Sequence, residues 1–260
     1  MTAYTTTRLV FFSPTHTSAR IARAIGEGIG MGRRIETDLT LDEEDTPIHV
    51  KNELTVIAAP VYGGRIAPVA LQRIKRLKAQ HSPAILVAVY GNRDYEDALL
   101  ELHNTAVELG FTPLSGAAFI GEHSYSTPDM PVAAGRPDSS DIQKAFLFGQ
   151  DSLKKLENYP ELPALTVKGN FPYKEFSPRN SSVPECTDAC CACGICIEVC
   201  PTHAIRLNNG GDAIETDAER CIKCCACVKE CPNGARTYYT PFTQILHEKF
   251  SARREPEIFL

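Results

Sequence analysis

The placement of its cysteines constrains this chain most. All eleven lie between Cys186 and Cys231, and the 185 residues before them contain none. Six fall in the sixteen residues "CTDACCACGICIEVCP". Disulfides are the ordinary use of many cysteines, yet an odd count and the adjacent pairs Cys190-Cys191 and Cys224-Cys225 fit a disulfide framework poorly. The N-terminus "MTAYTTTRLVFF" lacks the apolar core and cleavage site of a secretory signal, so a cytoplasmic setting is expected. Metal or cluster ligation is the preferred reading.

The spacing C-x2-C-x2-C-x3-C-P occurs twice, as Cys190, Cys193, Cys196, Cys200, Pro201 and as Cys221, Cys224, Cys227, Cys231, Pro232. The register is unique: starting at Cys191 would need a cysteine at Gly194, at Cys186 one at Ala189, and at Cys225 one at Val228. The copies lie 31 residues apart and align Ala204 with Ala235, an internal repeat with pseudo-two-fold potential. Each proline is expected to end the short helix that carries the last cysteine of its run. CxxC pairs also suit structural zinc, but zinc takes four ligands, and two whole copies with a following proline disfavour it. The pattern resembles the two-cluster bacterial ferredoxins, in which the fourth cysteine of each run serves the other cluster. That resemblance implies one [4Fe-4S] cluster held by Cys190, Cys193, Cys196 and Cys231, and a second held by Cys221, Cys224, Cys227 and Cys200. Three cysteines are surplus. Cys191 aligns with Ile222 and Cys225 with Gly194, as small apolar residues beside a cluster. Cys186 stays open between a spare ligand, a redox-reactive thiol and a packed residue.

From residue 8 to about 157, short apolar or β-branched runs alternate with amphipathic stretches. The runs at 8–12, 33–37, 54–60, 84–91 and 113–121 read as five strands. "TSARIARAIGEGIG", "APVALQRIKRLKAQ" and "EDALLELHNTAVELG" read as helices with one buried face. A last helix, "DIQKAFLFGQDSLKKLENY", is expected to be capped by Ser139 or Ser140. The third and fourth runs are almost wholly apolar, which fits strands buried on both faces of a parallel sheet. The alternation predicts a doubly wound α/β domain with ligands at the carboxyl ends of its strands. The expected organisation is a domain over 1–158, a five-proline linker or strap over 159–184, a cysteine module over 185–240, and a helix and tail over 241–260.

Three loops at those strand ends carry candidate chemistry. In "SPTHTS", Ser13, Thr15, Thr17 and Ser18 set hydroxyls beside a helix N-terminus, as a phosphate dianion requires. This stretch resembles the flavodoxin phosphate loop T/S-x-T-G-x-T, with His16 where the family usually has glycine; if that site needs a positive φ the histidine is strained, though less than most residues, and its ring either contributes charge or faces solvent. The second loop offers Pro60, Val61, Tyr62, Gly63 and Gly64, and resembles the flavodoxin loop that covers one face of the isoalloxazine. The third offers Tyr90, Gly91, Asn92 and Tyr95 at the position of that family's other flavin loop. The likeness covers residues 7–157 and implies FMN.

The whole chain resembles the flavodoxin-ferredoxin fusions of anaerobes. The implied architecture is α/β: a flavodoxin-like doubly wound five-stranded parallel sheet followed by a small α+β two-cluster ferredoxin-like domain. The implied function is a relay of electrons between two [4Fe-4S] clusters and FMN, serving a redox partner protein. The alternatives are a flavin-dependent reductase of a small-molecule substrate and, more remotely, a non-redox module stabilised by metal. No GxGxxG run follows a strand, so no dinucleotide site of that kind is expected. A net charge of -5 without a Lys/Arg tract argues against nucleic acid, and no run approaches the roughly 20 apolar residues of a membrane span. No catalytic acid or base stands out; "GEHSY", with Glu122, His123 and Tyr125, is the place to look for a proton donor. Oligomeric state is not legible.

Overall fold

The computed structural model describes residues 4–159, 161–178 and 180–260. Strands β1 (Thr6–Phe11), β2 (Arg33–Asp38), β3 (Leu54–Tyr62), β4 (Ser82–Tyr90) and β5 (Phe111–Ile120) form a parallel sheet in the order β2-β1-β3-β4-β5. That order is the flavodoxin-like doubly wound one. Side chains alternate between faces along a strand. On one face Val56, Ala58, Ile85 and Val87 pack with residues of α1 (Thr17–Ile29) and α4 (Ser139–Asn158). On the other, Ile57, Ala59, Leu86 and Ala88 pack with α2 (Pro68–Ile74) and α3 (Ala98–Glu108). Both faces of β3 and β4 are therefore covered, which is why these runs carry almost no polar residues.

Helices α1 and α4 approach until backbone meets backbone. A Cβ on Gly28 would lie 1.9 Å from the Phe146 carbonyl oxygen, and one on Gly149 would lie 2.2 Å from that of Ile25. Helix α4 is capped one residue before the first expected serine. Asp138, not a serine, accepts the Ser140 and Asp141 amides, and the Asp141 carboxylate accepts the Asp138 amide in return. Helix α2 stops at Ile74, earlier than the periodicity implied, because Leu77–Ala79 leaves to pair in parallel with Ile48–Val50.

The proline-rich segment is a strap. Asp97 accepts the backbone amides of Asn170 at 2.8 Å and Lys174 at 2.7 Å, and the Arg65 guanidinium lies 4.5 Å from the Tyr173 ring centre. The cysteine module beyond it has two one-turn helices, α5 (Ile195–Glu198) and α6 (Ala226–Lys229), and an antiparallel pair, β6 (Ile205–Leu207) with β7 (Ile214–Thr216). Glu185–Cys186 pairs with Arg236–Thr237. After helix α7 (Pro241–Phe250) the tail returns to the first lobe, where β8 (Glu257–Phe259) adds an antiparallel strand to β5 with Glu257 opposite Ala118. Three residues carry no readable period, so the sequence showed only a tail. Among the described residues no helix is long and apolar enough to cross a membrane.

Because the α1–α4 crossing leaves no room for a methyl, Gly149→Ala is expected to destabilise the first lobe by about 1–3 kcal/mol. Urea unfolding followed by far-ultraviolet circular dichroism checks this, and an unchanged midpoint would contradict the close approach.

Candidate functional site

The cysteines line two small cavities. Cys190, Cys193, Cys196 and Cys231 face one, with Arg236 also on its wall. Cys200, Cys221, Cys224 and Cys227 face the other. Cys191 also lines the first cavity and Cys225 the second, so each run lines its own cavity and sends its last thiol to the other. The repeat persists in the backbone: Ala192 and Lys223 both have positive φ, as do Gly194 (φ 83°) and Cys225 (φ 58°), the residues that precede α5 and α6. The aligned alanines have a shared task. The Ala204 amide donates to Cys200 Sγ at 3.3 Å and the Ala235 amide to Cys231 Sγ at 3.2 Å. Of the surplus cysteines, Cys191 is exposed on the wall of the first cavity, Cys225 is buried on the wall of the second, and Cys186 is on neither wall.

A cleft of about 680 Å³ opens at the carboxyl ends of β1, β3, β4 and β5. Its wall includes Ser13, Thr15, Thr17 and Ser18, the segment from Pro60 through Val61 and Tyr62 to Gly63 and Gly64, and Tyr90 with Gly91. Gly63 (φ 63°) and Gly64 (φ 88°) form the two-residue turn of a hairpin in which Tyr62 pairs with Arg65. Three expected contacts are not on this wall. His16 has a positive φ of 64°, and its Nε2 lies 3.2 Å from Glu230 Oε1. Asn92 donates through Nδ2 to the carbonyls of Phe250 and Ala252, at 2.5 and 2.8 Å, and Tyr95 donates to Glu257 at 2.9 Å. The returning tail has taken both side chains.

The wall suits a phosphorylated planar ligand. The first-turn amides of α1 at Thr17 and Ser18 have no intrahelical acceptor. Ser18 Oγ and the Tyr90 hydroxyl are buried without a hydrogen-bond partner. The remaining wall comes from Glu122, His123 and Tyr125, from Lys174, Ser177 and Asn180 of the strap, and from Lys223, Tyr238, Thr240, Phe242, Ile245, Lys249 and Phe250. "GEHSY" signalled the first group; the others are far apart in sequence and only folding gathers them.

Residues 189–236 match the family model described as a 4Fe-4S dicluster domain. The C-terminal lobe is a 4Fe-4S dicluster domain. No curated protein matches the chain. Among solved structures, a flavodoxin from the domain Archaea is 15% identical and superposes with a TM-score of 0.37 over 58% of this chain and 99% of its own. A Streptococcus pneumonia flavodoxin is 15% identical, with a TM-score of 0.40 over 57% of this chain and 97% of its own. The Megasphaera elsdenii flavodoxin is 12% identical, with a TM-score of 0.37 over 57% and 98%. The fold of the first lobe stands on its strand order, and the chain joins a flavodoxin-like domain to the dicluster domain.

The dicluster domain sits on the cleft. Ile222, between the cysteines of the second run, packs with Tyr62 against the core of the first lobe, and Arg73 donates to the Pro201 carbonyl at 2.7 Å. Burial pushes the Tyr62 hydroxyl pKa well above its usual range, and the Cys224, Cys225 and Cys221 thiols push it further. Ile222 lines the second cysteine cavity and the next residue, Lys223, lines the cleft with Tyr62, so cavity and cleft adjoin at this segment. Burial also raises the Cys227 thiol to about 11 and the Cys224 thiol beyond that. Cys231 is lowered: burial opposes the shift, but the amides of Asn233, Ala235 and Arg236 outweigh it. Filling these cavities with iron must displace thiol protons.

His123 is held neutral. Burial lowers its pKa to about 4, assisted by the positive charges of Arg93 and Lys229. Its Nδ1 accepts the Tyr125 amide at 3.0 Å, which leaves the proton on Nε2. The unfolded chain binds this proton near pH 6.5 and the folded one only near 4, so stability falls as pH drops through that interval. Between pH 7 and 5.5 the wild type is expected to lose roughly 1 kcal/mol more than His123→Gln, measured as paired urea midpoints.

Proposed function

We propose that the protein relays electrons between two [4Fe-4S] clusters and an FMN, as a cytoplasmic carrier for a partner oxidoreductase. One observation carries this reading: the second cysteine cavity adjoins, through Ile222 and Lys223, a cleft whose loops suit a flavin. FMN exchanges one or two electrons and each cluster one, so a chain holding both converts between the two modes.

The chain's own residues supply the setting. Hydroxyls of Thr15, Thr17 and Ser18, with the first amides of α1, would accommodate a phosphate dianion. The Gly63-Gly64 turn presents its backbone to the cleft beside Tyr62. The His123 Nε2–H gives the wall a neutral donor. Cys221, Cys224, Cys227 and Cys200 would hold the inner cluster. Cys190, Cys193, Cys196 and Cys231 would hold the outer one, where Cys193 reaches the surface. With those groups bound, Cys193 would put the outer cluster nearest the surface and Cys221, Cys224, Cys227 and Cys200 would put the inner one nearest the cleft.

A second reading, direct reduction of a small substrate, draws on the part of the cleft beyond the flavin loops, where α7 contributes Phe242, Ile245, Lys249 and Phe250. Substrate-dependent flavin oxidation in single turnover favours it; rapid oxidation only by a partner protein favours the carrier.

Anaerobically purified protein is expected to contain about eight iron, about eight labile sulfide and about one FMN; zinc without sulfide would sink both readings. Cys224→Ser should lose about four irons and slow electron transfer from the outer cluster to flavin at least tenfold, whereas Cys193→Ser should lose about four irons and spare exchange between inner cluster and flavin. Equal slowing in both variants, followed by stopped-flow absorbance, would refute the order.

A further inference from the structure

Arg73, Arg136 and Arg236 are buried among the described residues. Arg73 has Glu43 within 3.8 Å and Arg136 is paired with Asp141. Arg236 is 3% exposed, and no ion pair to a carboxylate forms there among the described residues. Its Nη2 donates to Thr216 Oγ1 at 2.8 Å and approaches Cys227 Sγ at 3.8 Å; its Nη1 donates to Cys186 Sγ at 3.3 Å; its Nε is buried without a partner. Arg236 also lines the first cysteine cavity, while Cys227, which its Nη2 approaches, lines the second. It therefore stands between the two.

A buried cation without a counter-charge is strongly unfavourable. The fold does not demand one here, because the equivalent position of the first repeat, 31 residues earlier, is Ile205, packed in the apolar core of the lobe. What can neutralise Arg236 is the pair of cavities. Four thiolates around a [4Fe-4S] core of charge 2+ carry a net charge of 2−, and 3− once one electron has been added.

We infer that Arg236 is a built-in counter-charge shared by the two clusters, that it raises the reduction potential of both, and that Cys186 is an acceptor positioning its guanidinium rather than a spare ligand. The inference rests on the proposed clusters. Each takes one electron and no proton from a low-potential one-electron donor, and a neighbouring cation favours the more negative product. The surplus of cysteine at the start of the first run thereby gains a role that ligand spacing could not reveal.

The test uses the full-length protein with iron counted first, then reductive titration with dithionite followed by electron paramagnetic resonance of the reduced clusters. Arg236→Gln keeps N–H donors and removes the charge; at full iron content its reduction should be disfavoured roughly tenfold, about 59 mV for a one-electron couple. Arg236→Lys keeps the charge and should stay within about threefold of wild type, or about 28 mV. Cys186→Ser should keep every iron. Unchanged midpoints in Arg236→Gln, or an equal fall in Arg236→Lys, would overturn the electrostatic role, and iron loss in Cys186→Ser would overturn the positioning role. Should Arg236→Gln not load iron, Arg236→Ile, which installs the residue of the other repeat, is measured with the same expected sign. A wild type without iron would instead refute the cluster reading itself.

Discussion

A tight C-x2-C-x2-C loop can present three thiols to one cavity but cannot bring round a fourth, and the structure of the C-terminal lobe follows from that limit. Cys231 crosses to the first cavity and Cys200 to the second, so neither run is complete without the other. The crossing holds α5 against α6 and makes the two halves interdependent. It also explains the paired alanines: each lets its amide reach the sulfur of the crossing cysteine four residues earlier. The apolar core here is little more than Cys196, Cys200, Ala204, Ile205 and Cys227 with a few half-buried neighbours. A lobe so small needs a staple beyond hydrophobic burial.

Where this lobe sits matters as much as how it is built. Arg73 reaches from α2 to the Pro201 carbonyl, Lys229 donates to the Ser126 carbonyl at 3.0 Å and pairs with Glu122, and the Tyr125 and Tyr238 rings meet edge to face. The tail closes the arrangement by returning to pair with β5. These contacts set the second cysteine cavity beside the cleft and leave Cys191 and Cys193 of the first exposed. The buried Arg236 lies between them, so a single charge acts on both ends of the cysteine lobe.

Local chemistry was legible. The two cysteine runs, the five strands and the hydroxyl-rich loop could be read directly, because ligand spacing, side-chain alternation and helix-start chemistry each depend on residues close in sequence. Expectations failed where a distant segment competed. Asn92 and Tyr95 occupy the expected loop, but residues 250–257 claim their polar atoms. The serines before α4 looked like caps, yet Asp138 serves because Asp141 can answer it and Arg136 holds Asp141.

The sequence alone determined two cysteine sites in a repeat and a parallel α/β domain with loops suited to a phosphate and a planar ring, since each depends on spacing within a few dozen residues. Only the tertiary structure decided which cysteine cavity faces the cleft, that His16 turns to Glu230, and that a lone arginine lies buried between the cavities. Those outcomes depend on desolvation and on contacts between segments 50 to more than 200 residues apart, for which no local pattern exists.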